Sequence, residues 1–125
     1  MARVRWLEHS AWQVTFKEAK VEIDPFLTNN PKAAIKPQDI ESADFVLVTH
    51  DHFDHLGDAF EISKNTNAKL MSIFEISGMT QKAGIKKENA IGMNMDNVSD
   101  LGKIKVGMTH AIHSRNMVGF MVSAD

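Results

Sequence analysis

"VLVTHDHFDHLGDAFEISK", residues 46–64, places three histidines and two aspartates within the six positions from His50 to His55, directly behind a run of β-branched and apolar residues. The preceding "DFVLVT", residues 44–49, is apolar without alternation, the pattern of a strand covered on both faces. After it, Leu56, Phe60 and then Ile62 or Ser63 fall on one helical face. The stretch therefore predicts a strand, a tight loop and a helix start, with the imidazoles gathered at the loop. Residues two apart in an extended segment point the same way, so His50 and His52 can present their rings to one ion from the end of a buried strand. Where the chain turns into the helix, Asp54 and His55 project differently and suit a second ion nearby, as two-metal hydrolases require. A plainer reading covers one of these residues: Asp54 is also a good N-cap for a helix beginning at His55. It leaves the histidines unexplained, and random ordering of this composition would produce His-x-His-x-Asp-His with a chance of only roughly 1 in 1,000.

Upstream, alternation in Val4/Trp6, Trp12/Val14/Phe16 and Val21/Ile23 predicts three short strands joined near His9-Ser10 and Glu18-Ala19, a β-meander. The segment "DPFLTNNPKAAIKPQDIESA", residues 24–43, holds all three prolines and the Asn29-Asn30 pair, and reads as a long surface loop placed to roof what lies beneath it. Downstream, "AKLMSIF" reads as a strand and "EISGMTQKAG" as a helix with Gly84 at its C-cap, a β-α-β-α rhythm. "VSDLGKIKVGMTH" reads as strand, turn and strand with Ile104, Val106 and Met108 on one face, and "VGFMVSA" as a last strand. The eight methionines suit core filling, since several sit at periodic positions.

A chain of 125 residues with 43% hydrophobic residues can bury one core, so residues 1–125 read as one globular unit of α/β class. Its net charge is -2 and its 14 lysines and arginines are scattered, which offers no electrostatic footprint for nucleic acid or an anionic membrane. The apolar run Phe45–Val48 is too short to span a bilayer, and "MARVRWLEHSAW" lacks the apolar core of a signal peptide, so the expected setting is cytoplasmic. With no cysteine, any transition metal must rest on imidazole and carboxylate.

"THDHFDH" behind an apolar strand resembles the signature of the metallo-β-lactamase superfamily. The flanking "WLEHSAW", "IDPFL" and "MTHAIHS" resemble its small prokaryotic metal-dependent hydrolase branch, related to the ascorbate-6-phosphate lactonases. The resemblance runs through nearly the whole chain but covers only the N-terminal half of a usual domain. It implies the first half of a four-layer αββα sandwich, a mixed β-sheet with helices on one face. It further implies that His50, His52 and His113 bind a first metal, that Asp54 and His55 contribute to a second, and that Asp24 sits in the outer shell. His110 is the rival of His113. In an extended segment the two face opposite ways, which leaves His110 a surface or pocket-rim residue if His113 is the ligand. Asp24 reads equally as a turn-forming residue before Pro25 and as a carboxylate receiving the free N–H of a ligating imidazole. His9-Ser10 resembles the family's "GHS" at the rim of the site, but Glu8 stands where glycine is usual.

The family's bridging Asp and its late His are missing, and Asp125 lacks the context for the bridging role. Half a sandwich would also leave an apolar sheet face in water, more than soluble monomers usually tolerate. The expected cover is a second copy of the chain in a homo-oligomer, a separately encoded chain carrying the C-terminal half, or the rest of a longer polypeptide from which this one is truncated. The expected chemistry is hydrolysis of a small-molecule ester, lactone or phosphoester by a metal-activated hydroxide. Zn²⁺, one ion or two, is the expected metal, with Mn²⁺ or Fe²⁺ open, and Asp54 would orient the nucleophile and shuttle a proton. The opposing reading is a metal-binding half-domain or interaction subunit that catalyses nothing alone.

Overall fold

The computed structural model describes residues 1–124; Asp125, and with it any bridging role, lies outside the described residues. Three short strands, β1 (Arg3–Trp6), β2 (Trp12–Thr15) and β3 (Lys20–Ile23), pair antiparallel as the alternation required. After the proline-containing segment, β4 (Phe45–Leu47), β5 (Lys69–Ile73) and β6 (Ala90–Met93) add in parallel, giving a six-stranded mixed sheet ordered β1-β2-β3-β4-β5-β6. β6 has no counterpart in the sequence reading, because four residues interrupted by Gly92 carry too little periodicity to register.

β4 explains its own composition. Val46 and Val48 point into a cluster with Leu27, Ile40, Ala59, Ile62, Leu70 and Ile76, while Phe45 and Leu47 point to the opposite side. The first cluster is covered by α1 (Phe53–Leu56), α2 (Ala59–Thr66) and α3 (Phe74–Ser77). The segment 24–43 is more than surface loop: Leu27, Ile40 and Ala43 are buried in that cluster. The Asp58 carboxylate ties it down by accepting the backbone N–H groups of Leu27 and Thr28 at 2.9 and 2.8 Å.

The helical expectations need correction. The helix behind the histidines begins at Phe53 with His52 at the N-cap position, so Asp54 lies in its first turn and is not the cap. That helix ends after one turn at Gly57, whose φ of 42° and ψ of -121° are open only to glycine, and α2 starts afresh. The helix expected over residues 75–84 stops at Ser77, whose carbonyl accepts both the Thr80 N–H at 3.2 Å and the Thr80 hydroxyl at 2.6 Å, an i+3 turn in place of the helical i+4 bond.

The expectation of a bare sheet face is overturned over most of the sheet. β7 (Val98–Asp100), β8 (Lys105–His110) and β9 (Val118–Ser123) form a separate antiparallel sheet. Its Val106, Met108 and Val118, with Ile104 just before β8, pack against Val21, Phe45, Leu47, Met71 and Met93. The chain thus supplies both inner faces of a sandwich itself. On β1 and β2, Val4, Trp6 and Trp12 keep 59, 51 and 39% exposure, while Val14 of β2 packs against this core. Among the described residues, no helix is long and apolar enough to cross a membrane.

Candidate metal centre

β3, β4 and β5 run parallel, and their carboxyl ends open on one side, where open α/β sheets hold their ligands. Asp24 follows β3 and Thr49-His50 follows β4, so the two segments meet across the end of a buried pair of strands. The Asp24 carboxylate, 3% exposed, accepts three hydrogen bonds: from Thr49 N–H at 2.8 Å, the Thr49 hydroxyl at 2.6 Å and His55 Nδ1 at 2.8 Å. Asp24 also adopts a φ of 44° at the turn before Pro25, so the turn and the imidazole contact occur at the same residue.

This network sets tautomers. A carboxylate only accepts, so His55 carries its proton on Nδ1 and presents the Nε2 lone pair. Thr49 has one hydroxyl hydrogen, given to Asp24, so at its 2.9 Å contact with His50 Nδ1 the threonine oxygen accepts. His50 therefore also presents the lone pair of Nε2. Thr49 is the residue that sequence reasoning missed, although its place directly before His50 was the available signal. His50 is fully buried, and burial first, then the neighbouring His55, holds its imidazole below the ordinary range, keeping it neutral near pH 7.

Three ring nitrogens converge. His50 Nε2 lies 3.0 Å from His52 Nδ1, which lies 3.2 Å from His113 Nε2. Metal–nitrogen bonds of about 2.0–2.1 Å in a tetrahedron separate ligand atoms by about 3.3–3.4 Å, so these spacings suit a shared ion. His113 reaches the cluster because Val118 N–H donates to the Thr49 carbonyl at 3.0 Å, docking the start of β9 beside β4. Arg115 lies 3.8 Å from Asp51 on the same loop. His110 is elsewhere, 70% exposed and paired with Asp96 at 2.9 Å.

Beside this triad stands another. His9, Asp54 and His55 bring one candidate ligand atom each within 4.8 Å of one another, as do His50, His52 and His113, and Asp24, His50 and His55. The ring centroids of His50 and His55 are 4.1 Å apart, so the two triads adjoin. His9, placed at the rim by sequence, has Nε2 3.3 Å from Asp54 Oδ2. The donor sets, imidazole with few carboxylates, fit a divalent transition-metal cation.

The pattern of the β-lactamase superfamily domain matches residues 3–115. The chain belongs to that family. A UPF0173 metal-dependent hydrolase of Archaeoglobus fulgidus is 40% identical over 98% of this chain and 57% of the relative. Another, from Methanopyrus kandleri, is 43% identical over 93% of this chain and 49% of its own length. The chain thus spans about half the length of the curated relatives it matches, in keeping with the N-terminal half of their fold. Among solved structures, Igni18, a metallo hydrolase from Ignicoccus hospitalis, superposes with a TM-score of 0.86 at 31% identity, covering 98% of this chain and 55% of that one. The layered mixed sheet is a metallo-β-lactamase fold, and the relatives are named metal-dependent hydrolases.

Proposed function

We propose that His50, His52 and His113 hold one divalent cation, Zn²⁺ in the first instance, and that Asp54 and His55 contribute to a second. The proposed reaction is hydrolysis of a small-molecule ester, lactone or phosphoester. The observation that carries the reading is the Asp24-Thr49 network, which turns the Nε2 lone pairs of His50 and His55 outward from their hydrogen-bonded sides. When bound, the cation would supply a water of lowered pKa and polarise the substrate oxygen under attack.

The protein's own groups do the rest. Asp24, buried and triply bonded, accepts from Thr49 and His55 and so keeps both imidazoles in the ligating tautomer. Asp54 has a carboxylate 30% exposed at the rim, able to orient the attacking water and pass its proton to the leaving group. Specificity would come from the loops around the cluster, among them 24–43.

The family's bridging Asp would come from a C-terminal half or partner chain, which the relatives' greater length supports. Exposed Val4, Trp6 and Trp12 beside His9 offer such a partner an apolar edge, and a second copy of this chain could cover the same edge. A cytoplasmic setting is part of this reading. The second reading, a metal-binding half that catalyses nothing alone, is favoured by the same half-length match. It predicts metal uptake without turnover of a chromogenic ester or phosphodiester.

Elemental analysis with mass in solution tests the proposal. His50→Ala and His52→Ala each lose the first equivalent of zinc, a drop in affinity of roughly 1,000-fold or more, while His110→Ala keeps it. Full metal in the His52 variant would refute the ligand assignment, and a stable monomer in light scattering would remove the homo-oligomer.

A further inference from the structure

His9 belongs to a segment that the first triad does not use. Glu8 and His9 both adopt left-handed φ angles, 85° and 55°, which fold the β1–β2 connection back toward α1. Leu7 N–H donates to the Ala11 carbonyl at 2.9 Å, and Ala11 N–H to the Glu8 carbonyl at 3.1 Å, closing the turn. Trp6 Nε1 donates to the His9 carbonyl at 2.9 Å. The His9 ring stands edge-to-face against Phe26 and His55, with centroids 5.7 and 5.4 Å away.

The proton inventory is informative. The Ser10 hydroxyl donates to the Asp54 carbonyl at 3.4 Å, so at its 2.8 Å contact with His9 Nδ1 the serine oxygen accepts. His9 then holds its proton on Nδ1 and turns the Nε2 lone pair toward Asp54 Oδ2, 3.3 Å away. Two electron-rich atoms face each other at that distance, longer than the 2.7–2.9 Å or so of a charge-assisted hydrogen bond and close to the roughly 3.3 Å edge of a tetrahedral metal site. His55, its Nδ1 committed to Asp24, keeps Nε2 as its free donor and brings a candidate ligand atom within 4.8 Å of those of His9 and Asp54.

We propose that His9 is a direct ligand of the second metal, completing with Asp54 and His55 a three-ligand site built entirely from the first 55 residues. The inference rests on the metal-centre reading above and extends it. The β1–β2 turn would supply a ligand from this half of the fold, leaving further positions on that ion for water and substrate. Ser10 is then a positioning residue, fixing the tautomer of His9 from the other side of the ring.

The test is titration of the metal-depleted full chain with Co²⁺, read by absorption and by equilibrium dialysis. The wild type should take up two equivalents. His9→Ala should keep the first and bind the second at least about 100-fold more weakly, since loss of a ligand should exceed the 10–100-fold cost of losing its outer-shell partner. His9→Gln keeps a polar contact with Asp54 and should not restore it. His9→Cys should restore two equivalents and add a thiolate-to-cobalt charge-transfer band, unambiguous because the chain has no cysteine of its own. Two equivalents bound with unchanged affinity in His9→Ala, or rescue by His9→Gln, would overturn the proposal and leave His9 an ion-pair partner of Asp54. A wild type that binds one equivalent, lost in His52→Ala and kept in His9→Ala, would overturn this inference alone. A wild type that binds none would overturn the metal-centre reading with it.

Discussion

At the carboxyl ends of β3 and β4 and in the body of the same sheet, this protein buries polar groups in opposite ways. At the strand ends His50 is fully buried, and both its nitrogens have partners, Thr49 Oγ1 and His52 Nδ1. The backbone there is contorted: Glu8, His9, Asp24 and Gly57 all hold positive φ. In the body, Glu22 is equally buried on relaxed strand geometry, yet only its Oε1 is bonded, to Gln13 Nε2 at 2.8 Å, and Oε2 has no partner among the described residues. Positive-φ backbone occurs where these side chains are aimed, as it also does at Asn29, Asn67 and Asp96, whereas the carboxylate in the sheet body is accommodated by a change of protonation.

Gly57 gives the sharpest way to break that contrast. A Cβ at this position would lie 2.7 Å from both Phe26 Cα and the Pro25 carbonyl oxygen, backbone atoms immediately after Asp24. Gly57→Ala should therefore destabilise the fold by about 3 kcal/mol or more and weaken metal uptake by moving Asp24 away from His55. Urea unfolding in chelator, followed by zinc titration, measures both. A loss below about 1 kcal/mol with unchanged zinc affinity would show that the contortion is incidental to the site.

The sheet body should respond to pH instead. Burial pushes the Glu22 carboxyl up from 4.5 to about 7, against the opposing pull of the Gln13 hydrogen bond, Arg5 and Lys20. Below pH 4.5 the group is neutral in folded and unfolded chains alike and costs nothing electrostatic. As pH rises toward 7 the unfolded chain ionises first, so stability falls, reaching its lower plateau once the folded carboxyl has also lost its proton. The full penalty is about 3 kcal/mol. Relative to wild type, Glu22→Gln should gain about 2–3 kcal/mol between pH 5 and pH 8, comparison of the two proteins cancelling the shared histidine titrations. A difference that stays constant with pH would mean that water or rearrangement satisfies Oε2.

The same division governs what the sequence discloses. β4 was legible because both faces of Phe45–Val48 are covered, which leaves no polar position in the pattern. His50, His52, Asp54 and His55 were legible as a group because local spacing alone puts them near one strand end. Asp24 was not decidable, since its partners Thr49 and His55 lie 25 and 31 residues along the chain. Nor could periodicity tell that β7–β9 would fold over Phe45 and Leu47, because alternation marks a buried face without saying which sheet it meets. The break at Gly57 depends on close approach of Pro25–Phe26, again a contact between distant segments.

Glu8 offers the smallest and most discriminating change. A φ of 85° is a glycine conformation, and a side chain there costs about 1–2 kcal/mol of backbone strain. Among the described residues the Glu8 carboxylate makes no hydrogen bond or ion pair that would offset that cost. Glu8→Gly should therefore stabilise the chain, by about 0.5–1 kcal/mol, because the added freedom of glycine in the unfolded state cancels part of the gain. The contrast with Gly57→Ala is the point of the experiment: at two left-handed positions flanking the same cluster, gaining a Cβ should be destructive and losing one beneficial. If Glu8→Gly instead destabilises the chain while weakening the second equivalent of metal, the strained turn is itself what holds His9 over Asp54. The strain would then be a working part of the site and not a residue of sequence drift.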